Sequence, residues 1–195
     1  AVQVNVANET DIKHLIDSTE SAIGPIDLFC SNAGIATAES LDAPNEQWQL
    51  IWDVNVMSHL FAARHVVPRM IKRGGGYLLN TCSAAGLLNQ IGGAAYGVTK
   101  HAAVGLGEWI ALTYAHQGIK VSLLCPQAVR TAMTTGDAMD NAGVAAAAAD
   151  GMMEPEQLAE AVLKGLRAEH FLILPHPQVS DYMRRKTADY DRWIR

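Results

Sequence analysis

The sequence lacks long hydrophobic runs and a basic amino-terminal stretch. Within its 195 residues, glycine, histidine or charged residues interrupt every apolar run. The runs therefore stop well short of the roughly 18 residues that a membrane-spanning helix needs. The first four residues do not have the basic start of a signal peptide. We therefore expect a cytoplasmic protein that has no membrane partner.

Positive charge and cysteine are also scarce. Fifteen Lys and Arg against twenty Asp and Glu give a net charge of -5 without a long basic run, which argues against nucleic acid as a partner. The three cysteines, Cys30, Cys82 and Cys125, each close an apolar strand-like run and have no paired or metal-ligand spacing. We expect buried thiols. The seven histidines are scattered, so no metal site is predicted.

The pattern along the chain indicates one α/β domain. A length of 195 residues with 49% hydrophobic content is enough for a single sizeable core. Apolar strand-like segments alternate with helical ones, which predicts an open, doubly wound parallel sheet in three layers. The strands are predicted at 3–6, 26–30, 77–82, 119–125 and 171–174. Asn8 is placed to cap the first helix.

Two long helices are predicted at 45–73 and 93–117. The second carries two apolar stripes, and a three-layer domain covers only one side of such a helix. We therefore expect a homodimer or homotetramer through these two helices. Residues 132–153, rich in Ala, Gly and Met, are a candidate substrate lid, with disorder as the alternative. The charged segment 178–195 is predicted to be a carboxyl-terminal helix.

Tyr96 and Lys100 carry the first chemical signal. Residues four apart lie on one face of a helix, so the phenol and the ammonium can share a site. A unit charge about 4 Å away is worth roughly 3 pKa units at an effective dielectric constant of about 20. This predicts that Lys100 lowers the pKa of Tyr96. The spacing alone is a weak motif.

Further polar residues follow the predicted strands. Ser83 comes after strand 77–82, Asn32-Ala33-Gly34 follows strand 26–30, and Asn55 lies in the first long helix. With Tyr96 and Lys100 they stand in the order and close to the spacing of one family. The chain resembles a classical short-chain dehydrogenase/reductase from about residue 2 to residue 177, which agrees with the predicted Rossmann-like fold.

The resemblance implies an NAD(P)-dependent oxidoreductase that transfers a hydride between a nicotinamide cofactor and an alcohol or carbonyl substrate. Tyr96 would be the acid/base, Ser83 would bind the substrate oxygen, and Lys100 would lower the Tyr96 pKa and bind the ribose. Asn55 would hold a water through its backbone carbonyl. The residues implied to contact NAD or NADP are Asn5, Val6, Asn32, Ala33, Gly34, Tyr96, Lys100, Pro126, Val129 and Thr131.

The sequence departs from the family at two points. Gln127 follows Pro126 where the family usually has Gly, which leaves the path of that loop open. The strand and Gly-rich turn that seat the pyrophosphate in the family are absent, so we expect a chain truncated at its amino terminus that binds NAD(P) weakly by itself. The alternative is a truncated, non-catalytic remnant that acts as a binding or oligomerisation module. The substrate and the choice between NAD and NADP stay open.

Overall fold

The computed structural model describes residues 1–37, 40–136 and 141–195. Its strands are β1 (Leu28–Ser31), β2 (Gly76–Thr81), β3 (Ile119–Leu124) and β4 (Leu172–Ile173). Its helices are α1 (Glu9–Ala22), α2 (Asn45–Trp52), α3 (Ser58–Lys72), α4 (Ala85–Leu88), α5 (Ala94–Tyr114), α6 (Ala142–Ala148), α7 (Pro155–Arg167), α8 (Gln178–Ala188) and α9 (Tyr190–Ile194). A π turn, Asp53–Met57, joins α2 to α3.

The strands form a parallel sheet in the order β1-β2-β3-β4. On one face α1, α3 and α5 pack over the sheet, and Ile16, Val66 and Leu123 are buried between these layers. On the other face α7 covers Leu79 and Ile173. The predicted parallel sheet with helices on both faces is confirmed. None of the helices in the described ranges is long and apolar enough to cross a membrane.

The first strand of the prediction does not form. Residues 3–6 are not extended into the sheet, because the Asn5 carbonyl accepts the Asn8 N–H at 2.9 Å and the Asn5 N–H is donated to Asp11. These bonds close a turn before α1, whose predicted cap is confirmed: Asn8 Oδ1 accepts the N–H groups of Thr10 and Asp11. Val4 still packs against the core without strand pairing.

Strand β1 is less buried than the apolar pattern of its residues indicates. Parallel strands in such a sheet are usually covered on both faces, but Leu28 is 41% exposed and Cys30 is exposed. The expectation of a buried thiol was wrong for Cys30, because β1 is an edge strand of the described sheet. Cys82 and Cys125, which follow the inner strands β2 and β3, are buried as expected.

The segments beyond β3 enclose one side of the molecule. Within the candidate lid at 132–153, residues 137–140 lie outside the described residues, and α6 occupies part of the remainder. Asn141 caps α6 and donates to the Gly92 carbonyl at 3.0 Å, which fastens this helix to the loop before α5. The charged tail forms two helices rather than one, because the Asp189 side chain caps a new helix at Tyr190.

Candidate active site

Ser83 and Tyr96 line one cavity of about 380 Å³. Ser83 follows β2, where its hydroxyl accepts the Ala85 N–H at 3.1 Å, and Tyr96 lies in the first turn of α5. Helices α4 and α5 approach each other closely because Gly86 of α4 has no side chain. A Cβ atom at Gly86 would lie 2.6 Å from the Lys100 carbonyl oxygen. The packing of α4 on α5 therefore brings the two hydroxyl groups to the same cavity.

Lys100 lies behind Tyr96 and is only 3% exposed. Its Nζ donates to the Thr81 carbonyl at 3.1 Å and lies 5.6 Å from the centroid of the Tyr96 ring. An ammonium group has three N–H donors. Among the described residues, the Thr81 carbonyl accepts one of these N–H groups. The other donors can bind hydroxyl groups of a ligand.

Asn55 is fully buried and connects three parts of the site. Its amide accepts the Ile35 N–H at 2.9 Å and donates to the Ile35 carbonyl at 3.0 Å and to Thr99 at 3.2 Å. These bonds join the loop after β1 to helix α5. Asn55 lies within the π turn, a rare geometry that is often found at functional sites. Its side chain therefore has a positioning role in this arrangement.

The acid/base properties of the pair differ from the sequence prediction. Burial raises the pKa of Tyr96, and the Ser83 side chain opposes this only in part. Burial also lowers the pKa of Lys100. The expectation that Lys100 lowers the Tyr96 pKa was wrong for this structure, because removal of the phenol from water is the largest cause of the shift and raises the pKa.

Some of the residues expected at a cofactor lie beside this pair. A Cβ at Gly34 would lie 3.3 Å from Lys100 Nζ, and Asn32 accepts the Thr81 hydroxyl at 3.0 Å. Ala33, which lies between Asn32 and Gly34 in the sequence, is exposed. The Pro126 carbonyl accepts the Ala84 N–H at 2.9 Å and so holds the loop after β3 next to Ser83.

Other expected cofactor contacts lie outside the cavity wall. Val129 is buried against Met153, and Thr131 is exposed and bonded to Thr134. Asn5 and Val6 lie in the turn before α1, and the Asn5 side chain accepts the Ala7 N–H. Their contact with a cofactor stays a prediction. The described residues contain no group of three or more His, Cys, Asp or Glu that could hold a metal ion.

Sequence reasoning did not assign Tyr182 and Trp193 to the site, although both line the cavity. Met133 and Val144, which also line it, fall within the candidate lid at 132–153, and Gln127 was noted only as a departure from the family pattern. Gln127, the departure from the family pattern, donates its Nε2 to Asp150 at 3.1 Å and its N–H to His176 at 3.1 Å. Trp193 had a signal in the sequence, since it is an apolar aromatic residue in a charged tail. Tyr182 had none, because its place in the wall depends on the packing of α8.

Residues 1–154 match the sequence profile of the family described as short chain dehydrogenase. The chain is 33% identical over 138 residues to 3beta-hydroxysteroid dehydrogenase 2 of Eggerthella lenta, a match that covers 69% of the chain and 53% of that relative. It is 30% identical over 169 residues to D-beta-hydroxybutyrate dehydrogenase of Rhizobium meliloti, with 86% and 64% covered. The matches thus span about half to two thirds of these relatives.

The fold is similar to that of a solved short chain dehydrogenase/reductase from Burkholderia phymatum in complex with NAD. The TM-score is 0.83 at 26% identity, and the match covers 98% of this chain and 75% of that one. A similar structure, the LigO apo form from Sphingobium, gives a TM-score of 0.80 at 27% identity, with 99% and 72% covered. In both comparisons nearly the whole chain is matched.

Proposed function

Because the chain belongs to the short-chain dehydrogenase family, we propose that it transfers a hydride between NAD or NADP and an alcohol or carbonyl substrate. One observation carries the proposal. Ser83 and Tyr96 open on the same cavity, and the Lys100 ammonium lies behind the Tyr96 ring with N–H donors to spare. Such a set can bind a carbonyl oxygen and give it a proton.

The nicotinamide cofactor supplies the hydride donor or acceptor when it is bound. In the reduction of a carbonyl, Tyr96 donates its hydroxyl proton to the substrate oxygen as negative charge develops there, and Ser83 donates a hydrogen bond to the same oxygen. The raised pKa keeps Tyr96 protonated before the reaction. This state suits a proton donor.

The residues present fit the ribose half of a nicotinamide cofactor. Gly34 leaves space beside Lys100 Nζ and Asn55 Oδ1, which a Cβ would approach to 3.3 and 3.4 Å. Tyr96 also lines a second cavity, of about 490 Å³, that Gly34 and Thr37 border. The buried Thr37 hydroxyl finds no partner within the described residues. Lys100 and this hydroxyl would hold the ribose and amide groups.

Membership of the family also implies cofactor contacts beyond the ribose. Asn32 and Ala33 lie next to Gly34 in the loop after β1, and Asn55 would keep this loop in place through its bonds to Ile35. The Asn55 backbone carbonyl would hold a water that returns a proton to the site. The remaining family positions that would contact NAD or NADP are Asn5, Val6, Pro126, Val129 and Thr131.

A second copy of the chain is the proposed macromolecular partner. On α5, Val98, Trp109 and Leu112 are exposed, and on α2, Leu50 and Trp52 are exposed. Large exposed apolar patches mark interaction sites. The same face would also serve the second candidate function, a non-catalytic oligomerisation module, so catalysis has to be tested separately.

The test of catalysis is Tyr96→Phe in the full-length protein. The change removes the proton donor and keeps the ring, so turnover should fall by at least about 100-fold. Turnover is measured by NADH or NADPH absorbance with any accepted carbonyl substrate. Tyr114→Phe, farther along α5 and outside the cavity wall, is the matched control. Near-normal turnover of Tyr96→Phe would overturn the role of Tyr96.

A further inference from the structure

The wall of the cavity at Ser83 and Tyr96 is uncharged. Among the described residues that line it, none is Asp, Glu, Lys, Arg or His. The residues outside the described part of the chain, 38–39 and 137–140, include three acidic residues and no basic one. The described wall of this cavity therefore holds no cation that could bind a carboxylate, sulfonate or phosphate group.

The cations nearest to the wall are engaged elsewhere. Lys186 donates to the Leu87 carbonyl at 2.6 Å, and Arg130 is paired with Glu154 at 2.7 Å. Lys100 lies behind the Tyr96 ring and is not part of the wall, and its spare N–H donors are assigned to the cofactor ribose. Arg185 packs against the Tyr182 ring at 5.7 Å and is not part of the wall. An anionic substrate would leave its charge unpaired when it enters this space, and such burial is costly.

Asp150 adds a negative charge directly behind the wall. It accepts the Tyr182 hydroxyl at 2.9 and 3.0 Å and Gln127 Nε2 at 3.1 Å. Both donors belong to residues of the wall, so the Tyr182 hydroxyl and Gln127 Nε2 face Asp150 rather than a ligand, whereas Gln127 Oε1 has no partner among the described residues. The Asp150 charge also opposes the entry of a second negative charge.

The wall is apolar and aromatic apart from the neutral polar residues Ser83, Asn89, Gln90, Gln127 and Thr134. Tyr182 from α8 and Trp193 from α9 pack with ring centroids 6.5 Å apart, and Val144 and Ala147 of α6 contribute aliphatic surface to the same cavity. Aromatic rings pack well at centroid distances of 4.5–7 Å. A volume of about 380 Å³ lies within the range of small-molecule sites, about 300–1,000 Å³.

We propose that the substrate is an uncharged, mostly apolar ketone or secondary alcohol that carries a ring, and that Trp193 and Tyr182 select it. This inference rests on the proposed function. In the reduction, a hydride passes from NADH or NADPH to the carbonyl carbon, and the carbonyl oxygen takes the Tyr96 proton. The products are the secondary alcohol and NAD or NADP, and Tyr96 regains a proton from water.

Three ketones test the charge preference in the full-length enzyme: acetophenone, 4-methylacetophenone and 4-acetylbenzoate. The last two have similar shape and differ by one negative charge. The kcat/KM for 4-methylacetophenone should exceed that for 4-acetylbenzoate at least about 10-fold, a ratio typical of specificity that comes from pocket contacts. Equal or faster reduction of 4-acetylbenzoate would overturn the proposal.

Trp193→Ala tests the aromatic wall. It should lower kcat/KM for 4-methylacetophenone about 10-fold, mainly through KM, because it removes apolar contact surface from the bound substrate. Trp193→Phe should restore most of the loss. Ile194→Ala, an exposed neighbour on the same helix that does not line the cavity, is the control and should not change kcat/KM. An unchanged KM in Trp193→Ala would rule out this role for Trp193.

Calorimetric titration of the same ketones separates this inference from the proposed function. Tighter binding of 4-methylacetophenone without any turnover would contradict hydride transfer and support the substrate class. Turnover that prefers 4-acetylbenzoate would support hydride transfer and contradict the substrate class. If none of the three ketones is bound or reduced, the proposed substrate class is contradicted.

Discussion

At the scale of single residues, His59 is a buried titratable group outside the proposed catalytic set. It is 1% exposed, on α3, four residues after Asn55. Burial lowers its pKa to about 4, the charge of Lys100 adds to the shift, and a polar contact with Asn80 opposes it. The imidazole is therefore neutral in the folded protein at neutral pH.

This pKa shift predicts how stability depends on pH. Between about pH 4 and pH 6.5 the unfolded chain binds a proton at His59 that the folded protein does not bind. Stability should therefore fall as the pH falls through this window, by roughly 3 kcal/mol for this group, and the His59 contribution should be constant above pH 6.5. The measurement is urea unfolding from pH 4.5 to pH 8.

His59→Gln removes the titrating ring, so the slope of stability against pH in this window should decrease by up to one proton. His116→Gln, which removes an exposed histidine after α5, is the control. A slope that is the same in His59→Gln and in the unmodified protein would show that His59 is not the group responsible.

At the scale of elements, the contact between α4 and α5 decides whether Ser83 and Tyr96 share a cavity. Gly86 allows it, because any side chain there would meet backbone atoms of Lys100. Backbone cannot move aside as a flexible side chain can. The two helices would have to separate, and the displacement would reach Lys100 directly.

Gly86→Ala should therefore lower the free energy of unfolding by about 1–3 kcal/mol, as overpacking does, and should also reduce turnover. Chemical unfolding and a turnover assay measure the two effects. Gly105→Ala on α5 is the matched control, since its Cβ would meet nothing within 4 Å. It should be neutral or stabilise the helix by up to about 1 kcal/mol. A Gly86→Ala protein as stable as the control would contradict this account.

At the scale of the whole molecule, helices α2 and α5 expose large apolar side chains. Trp109 is 54% exposed and Leu112 is 86% exposed, although α5 buries its opposite side in the core. A helix that is apolar on two sides is stable in water when both sides are covered. Two copies that meet through this face would form a symmetric contact.

The double variant Trp109→Glu with Leu112→Glu should therefore yield a smaller particle than the unmodified protein in light scattering coupled to size exclusion. Two carboxylates on this face would have to be buried without partners in the assembly. Leu163→Glu, at an exposed apolar position on α7, is the control and should leave the mass unchanged. An unchanged mass in the double variant would exclude this face as the interface.

Local patterns in the sequence were sufficient for much of the architecture. The apolar runs around Phe29, Leu78 and Leu123 predicted the parallel strands, and Asn8 predicted the start of α1, because these signals lie within a few residues of the structure that they specify. The family resemblance also came from order and spacing, which are properties of the chain itself. The predicted strand at 3–6 did not form, because a β-strand is stable only when its backbone pairs with a neighbouring strand.

The sequence by itself determined the alternation of strands and helices, and the order of Asn55, Ser83, Tyr96 and Lys100 along the chain. Only the tertiary structure decided that burial raises the pKa of Tyr96 and that Trp193 closes an uncharged cavity. Helix periods and caps act between near neighbours in the chain. Desolvation and cavity shape depend on residues far apart in sequence, such as Tyr96 and Trp193, which become neighbours only when the helices pack.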